Sequence, residues 1–187
     1  MNEGLKVRTL RQALRDGCDA DHRLLDDSMA SLDLAQRADY ARFLSIQLAA
    51  RVGVEVWLER HCPAVIRPPS QRALVAADLA ELACESVAGG PAFDAPEGAD
   101  PLGVAWVLAG AHLGNRAMLA GLAKSGKQMP PVRFLSDPAM IDYWARLRPL
   151  LERPADPATT RAAIAAAKSV FAHYQALVKS APAGQAA

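Results

Sequence analysis

The chemistry-bearing residues of this chain are a histidine with an arginine seven positions before it, and two glycines four apart in an apolar stretch. His22 lies in the segment DADHRLLDD, and its imidazole is a common metal ligand. Seven residues are two turns of an α-helix, so Arg15 and His22 share a helix face. A guanidinium there can reach a carboxylate at the rim of a flat ligand centred on the imidazole. The spacing alone leaves other readings open: a surface or satisfied core histidine, and a solvated arginine.

The stretch PLGVAWVLAGAHLGNRAMLAGL contains Gly103, Gly110, Gly114 and Gly121. Each glycine inside a helix costs on the order of 1 kcal/mol relative to alanine, so something must offset them. Gly110 and Gly114 fall one above the other on one face. They permit either tight packing of another helix or a planar macrocycle pressed against the backbone. His112 lies about 200° around the helix from Gly110 and should point away from that face in a structural role, unless a kink redirects it. His61 and His173 have no ligand-spaced partner and read as surface or supporting residues. His22 and Asp26 are four apart, but two ligands make no metal site without a further cluster. No GxSxG, no P-loop and no dinucleotide fingerprint is found, which removes common hydrolase, nucleotide and nicotinamide readings.

These residues need helices to position them. Apolar spacing predicts a first helix from Leu5 to about Met29, which Gly17 divides or spares. Asp33 with Gln36 reads as a capping box opening a second helix to about His61, ended by Pro63 and the pair Pro68-Pro69. Ser70 can cap a third to about Cys84, and the Gly-, Pro- and Asp-rich stretch from Gly89 to Pro101 reads as a loop. The glycine-bearing helix starts near Pro101. A fifth starts at Ser136 or Asp137 and is bent or ended by Pro149, and Asp156 with Pro157 opens a sixth.

Composition agrees with an all-α chain. Aromatic residues are 5% of the sequence while Ala and Leu dominate, which favours helices over strands. A length of 187 residues, 51% hydrophobic, fits one domain, expected over residues 1–180 with a disordered tail at 181–187. The 21 basic and 20 acidic residues are interspersed, so no basic stripe suits nucleic acid. Cys18, Cys62 and Cys84 form no CxxC and are odd in number, which points to a reducing cytoplasm. No apolar run approaches the roughly 20 residues that span a bilayer.

Four segments in order, DADHRLLDD, WVLAGAHLGNRAML, FLSDP and AAAKSVFAHYQAL, resemble the biliverdin-producing heme oxygenases, in particular the bacterial type found beside phytochromes. The resemblance covers nearly the whole chain. It implies a multi-helix domain with heme sandwiched between a proximal helix, whose His22 ligates the iron, and a distal helix with Gly110, Ala111, Gly114 and Asn115 over the other face. Arg15 falls where the family often places a propionate-binding cation, and Arg146 or Arg148 near a second such position. The chain departs from the family at Asn115, usually glycine, and at Ala111, usually polar or acidic. Asn115 then either crowds the oxygen-binding side or hydrogen-bonds the ligand there.

The implied activity is cleavage of heme to biliverdin, carbon monoxide and ferrous iron. Heme is both substrate and cofactor, O2 is the oxidant, and electrons come from an external ferredoxin-like or flavin reductase. A bacteriophytochrome accepting the biliverdin is an implied partner. The two departures support a second reading, a non-catalytic heme- or bilin-binding sensor, carrier or interaction protein of the same fold.

Overall fold

Residues 8–84 and 89–180 are described by a computed structural model, so Leu5 and the expected tail at 181–187 lie outside the described residues. Thr9 starts the first helix, α1 (Leu10–Met29), by a reciprocal pair of bonds: its hydroxyl accepts from the Gln12 amide at 3.3 Å, while Gln12 Oε1 accepts from the Thr9 N–H at 3.1 Å. The helix runs unbroken through Gly17. A Cβ there would stand 2.8 Å from Ile164 Cδ1, so the glycine serves close packing rather than a break.

Helix α2 (Arg37–His61) begins later than the Asp33–Gln36 pattern predicts. The two side chains do meet, Gln36 Nε2 donating to Asp33 Oδ2 at 3.3 Å, but they do so in the turn before the helix, and Gln36 caps without a side-chain bond. A single 3-10 turn at Ala64–Ile66 follows. Helix α3 (Arg72–Glu81) is shorter than expected and is not capped by Ser70, whose hydroxyl donates to Glu55 instead. The other three helices share one device, an Asp cap followed by Pro at the first position. Asp100 accepts from Leu102 N at 2.9 Å ahead of α4 (Pro101–Lys124), Asp137 from Ala139 N at 2.9 Å ahead of α5 (Pro138–Leu151), and Asp156 from Ala158 N at 2.8 Å ahead of α6 (Pro157–Ser180). Pro149 sits in the last turn of α5, which ends two residues later.

Among the described residues these six α-helices are joined by loops, with no strand beyond an isolated bridge between Thr9 and Pro154. Helix α6 packs on α1, α4 and α2; α4 also packs on α5 and α2, and α3 lies on α2. The main core draws Leu14, Val54, Val104, Leu108, Ala166 and Val170 from α1, α2, α4 and α6. Burying each large apolar side chain contributes on the order of 1.5–3 kcal/mol. A second cluster of Tyr40, Leu44, Val75, Leu79 and Phe134 ties α3 and the loop before α5 to α2. Helices α4 and α6 touch backbone to backbone at Gly103, where a Cβ would lie 1.9 Å from the Ala163 carbonyl oxygen. No described helix is long and apolar enough to cross a membrane.

Candidate functional site

Helices α1 and α4 face each other across a cavity of about 580 Å³, within the size range of small-molecule pockets. From α1 it takes Arg11, Arg15, His22, Asp26 and Met29, positions that recur at helical spacing along one face. From α4 it takes Trp106, Gly110, Ala111, Gly114, Asn115 and Met118. Phe43 and Gln47 of α2, Trp144 of α5, and Phe171 and Tyr174 of α6 close the rest. The wall is mainly aromatic and aliphatic, with basic groups on the α1 side.

The glycines of α4 differ in what stands opposite them. At Gly103 the glycine admits another helix, whereas a Cβ at Gly110 or Gly114 would meet nothing within 4 Å. Both open onto the cavity, so their bare backbone leaves room for a flat body against α4.

His22 stands on the opposite wall. Its Nδ1 is 2.9 Å from Asp26 Oδ2, which leaves Nε2 as the other ring nitrogen, and its ring meets Phe171 edge-on with centroids 5.8 Å apart. Metal-bound histidines typically donate the second ring N–H to a carboxylate, which sets tautomer and orientation. Among the described residues no three His, Cys, Asp or Glu side chains gather into a metal-binding group. A metal at His22 would therefore take its other ligands from a macrocycle rather than from the protein. Cys18, one turn before His22, offers no thiolate: it is buried, and burial pushes its thiol up to about 11. The residues present thus fit heme: one imidazole with a carboxylate behind it, an open glycine face opposite, and an apolar wall.

Of the cations expected at the rim, Arg15 lines the cavity and is highly exposed, with Asp16 Oδ1 at 3.5 Å from its Nε. Arg146 and Arg148 are not among the cavity's lining residues. The Arg146 guanidinium lies 5.9 Å from the centre of the Tyr143 ring, and Arg148 Nε is 3.5 Å from Glu152. Arg11, not singled out in the sequence, lines the cavity and binds the same Glu152 at 3.0 Å. Its signal was available: it precedes Arg15 by four residues and so shares the face of His22.

Behind α4 lies a buried polar cluster that local spacing did not reveal. Gln47, Arg51, Glu55, Gln71, His112, Asn115 and Asp137 are all buried. Glu55 accepts from Gln71 N at 3.1 Å and from Arg72 Nε at 2.9 Å, and Asp137 Oδ2 accepts from Gln71 Nε2 at 2.8 Å. Tyr174, whose phenol burial pushes up, donates to Gln47 Oε1 at 3.4 Å. Asn115 joins the cluster to the cavity, with Nδ2 at 3.2 Å from His112 Nδ1. His112 is off the cavity face, as its helical phase predicts. His61 lies on the surface, stacked on Trp57, and half-buried His173 meets Phe93 edge-on.

No protein-family profile and no curated protein matches the chain in sequence. In three dimensions it has the fold of a heme oxygenase. It is similar to the heme oxygenase of Neisseria meningitidis, solved with nitric oxide and carbon monoxide bound: the TM-score is 0.68 at 20% identity, over 91% of this chain and 90% of the other.

Proposed function

We propose that this protein binds heme between His22 and the Gly110–Gly114 face and cleaves it to biliverdin, carbon monoxide and ferrous iron, with dissolved O2 as the oxidant and electrons supplied by a ferredoxin-like or flavin reductase. The observation that carries this reading is the pairing across one cavity of a carboxylate-backed imidazole with two glycines whose missing Cβ atoms leave open space. The fold shared with the Neisseria protein supports it.

Heme, when bound, would supply the redox chemistry and is itself the substrate whose ring is opened. The protein's part is position and electrostatics. His22 presents Nε2 to the metal while Asp26 holds Nδ1 and makes the imidazole a better donor. Gly110 and Gly114 allow the macrocycle to lie close to the α4 backbone. Arg15 and Arg11, on one α1 face, offer charge-assisted bonds to two carboxylates and so set how the ring is turned in the cavity. Phe43, Phe171, Trp106 and Met118 keep its apolar edge out of water. Ala111 brings no polar group to the distal wall, so Asn115 is the side chain there that can bond a small ligand.

The cytoplasm is the proposed setting, with a bacteriophytochrome as a recipient of the product. A second reading, a heme- or bilin-binding protein without turnover, draws on Ala111 and Asn115. One experiment separates the two: incubation of the hemin-loaded protein with oxygen and an electron donor, followed by chromatography of the pigment. Biliverdin with release of iron is expected. Unchanged hemin under reducing conditions establishes the second reading, and absence of a stoichiometric Soret complex removes both.

A further inference from the structure

The Asn115 amide can face the cavity in two ways, and they are chemically opposite. With its oxygen turned inward it accepts hydrogen bonds; with its NH2 turned inward it donates them. Which end turns inward is set by the partner that holds the other. That partner is His112, whose Nδ1 is 3.2 Å from the amide, and the two groups are 1% and 3% exposed.

We propose that His112 is a positioning residue for Asn115: its bare Nδ1 takes an amide hydrogen of Asn115, so the amide presents its carbonyl oxygen to the cavity, and protonation of the ring reverses the amide. The geometry of the surroundings decides the tautomer. A neutral imidazole has one donor and one acceptor nitrogen. His112 Nε2 is buried with no hydrogen-bond partner among the described residues, so Nδ1 is the ring nitrogen that meets the amide. The amide nitrogen of Asn115 stands 3.2 Å from Nδ1, so the bond between them forms when Nδ1 accepts and the ring's one proton sits on Nε2.

Burial opposes a second proton, as do Arg51 of α2 and Arg116 of α4, with Asp137 at the head of α5 acting the other way; the net effect holds the ring below the usual histidine range. At neutral pH the ring is uncharged and the amide oxygen faces inward. In acid both ring nitrogens carry protons, Nδ1 becomes a donor, and only the amide oxygen can answer it. The NH2 then turns to the cavity. The inference that this affects a ligand rests on the heme reading above; the coupling between ring and amide does not.

The test has two arms. In the heme-free protein, nitrogen-15 NMR over about pH 5 to 8 should show His112 with protonated Nε2 and bare Nδ1 at neutral pH. The Asn115 amide signals should shift with the same midpoint as the ring. In His112→Gln, whose amide oxygen can still accept, the Asn115 signals should hold their neutral-pH positions throughout; in His112→Phe they should differ at every pH. A proton on Nδ1 at neutral pH, or Asn115 signals that ignore the ring's titration, overturns the proposal.

In the second arm the hemin-loaded, reduced protein takes carbon monoxide as a probe of the distal field. The C–O stretch should fall in frequency below the midpoint as a donor replaces an acceptor, and should be pH-independent in His112→Gln. A stretch that does not follow the ring in the unaltered protein overturns the cavity-facing assignment. Failure to bind hemin at all strikes the heme reading instead, and the first arm still decides the role of His112.

Discussion

At the residue scale, the site divides into groups that hold a ligand and groups that shape the space around it. On the proposed heme reading, His22 belongs to the first. His22→Ala should fold normally, because the side chain is more than half exposed, yet its hemin complex should lose or shift its Soret band; an unchanged spectrum would show that another group is the ligand. Reversing Arg15 removes a charge-assisted bond worth about 1.5–3 kcal/mol, so Arg15→Glu should weaken hemin binding about ten- to a hundredfold or alter the biliverdin isomer. Arg11→Ala should have a smaller effect, since Glu152 already engages that cation. Asn115→Gly opens the distal wall. Biliverdin formation rises in that variant if the amide obstructs and falls if the amide is a useful hydrogen-bond partner, and identical yields would place position 115 outside the reaction.

At the scale of the element, the glycines of α4 serve opposite ends on one helix. Gly103 is a packing residue: Gly103→Ala drives a methyl to 1.9 Å of the Ala163 carbonyl, which α6 must move to relieve. Overpacking of this kind typically costs 1–3 kcal/mol, so the variant should melt at lower temperature. Gly114→Leu meets no such obstacle, and the gain in helix propensity is of order 1 kcal/mol. That variant should be as stable as the parent or more so while failing to take up hemin. Measured together by thermal denaturation and hemin titration, the pair separates helix packing from ligand space. Normal hemin uptake by Gly114→Leu would mean that the macrocycle does not lie on this face.

For the molecule as a whole, ligand and proton linkage give the readouts. Hemin at about a hundred times its dissociation constant should stabilise the fold by about 2.7 kcal/mol, a rise in Tm of roughly 5–10 °C for a chain of this size. Acid acts in the other direction. Burial lowers the proton affinity of both His112 and His173 in the folded state, so the unfolded chain binds more protons once the pH falls below the ordinary histidine value of 6.5. Their effect on stability is therefore absent above that value and destabilising below it. His173→Phe, which keeps an aromatic ring beside Phe93, should reduce the loss of stability between neutral and mildly acidic pH. An identical pH dependence in urea unfolding would show that His173 binds its proton as readily in the folded chain as in the unfolded one.

Helix phase explains what the sequence determined by itself. The all-α class, the helix starts near Pro101, at Ser136 or Asp137 and at Asp156 with Pro157, and the shared face of Arg15 and His22 depend on neighbours within two turns, and all are legible in the chain. So was the orientation of His112 away from Gly110, because 100° per residue holds along an unkinked helix. The helix starts expected at Asp33 and Ser70 fall elsewhere for two different reasons: Ser70 is drawn to Glu55 on another helix, whereas Asp33 meets Gln36 locally, within the turn before α2. Gly17 and Gly103 could not be told from Gly110 and Gly114 in sequence, since all four are glycines in helical stretches. What differs is what stands opposite: Ile164 and Ala163 of α6 in the first pair, open cavity in the second. The polar cluster around Arg51 and the contact of Asn115 with His112 likewise became visible only when α2, α4 and the head of α5 came together. Burial and partnership are properties of that assembly, and no spacing along one strand of sequence encodes them.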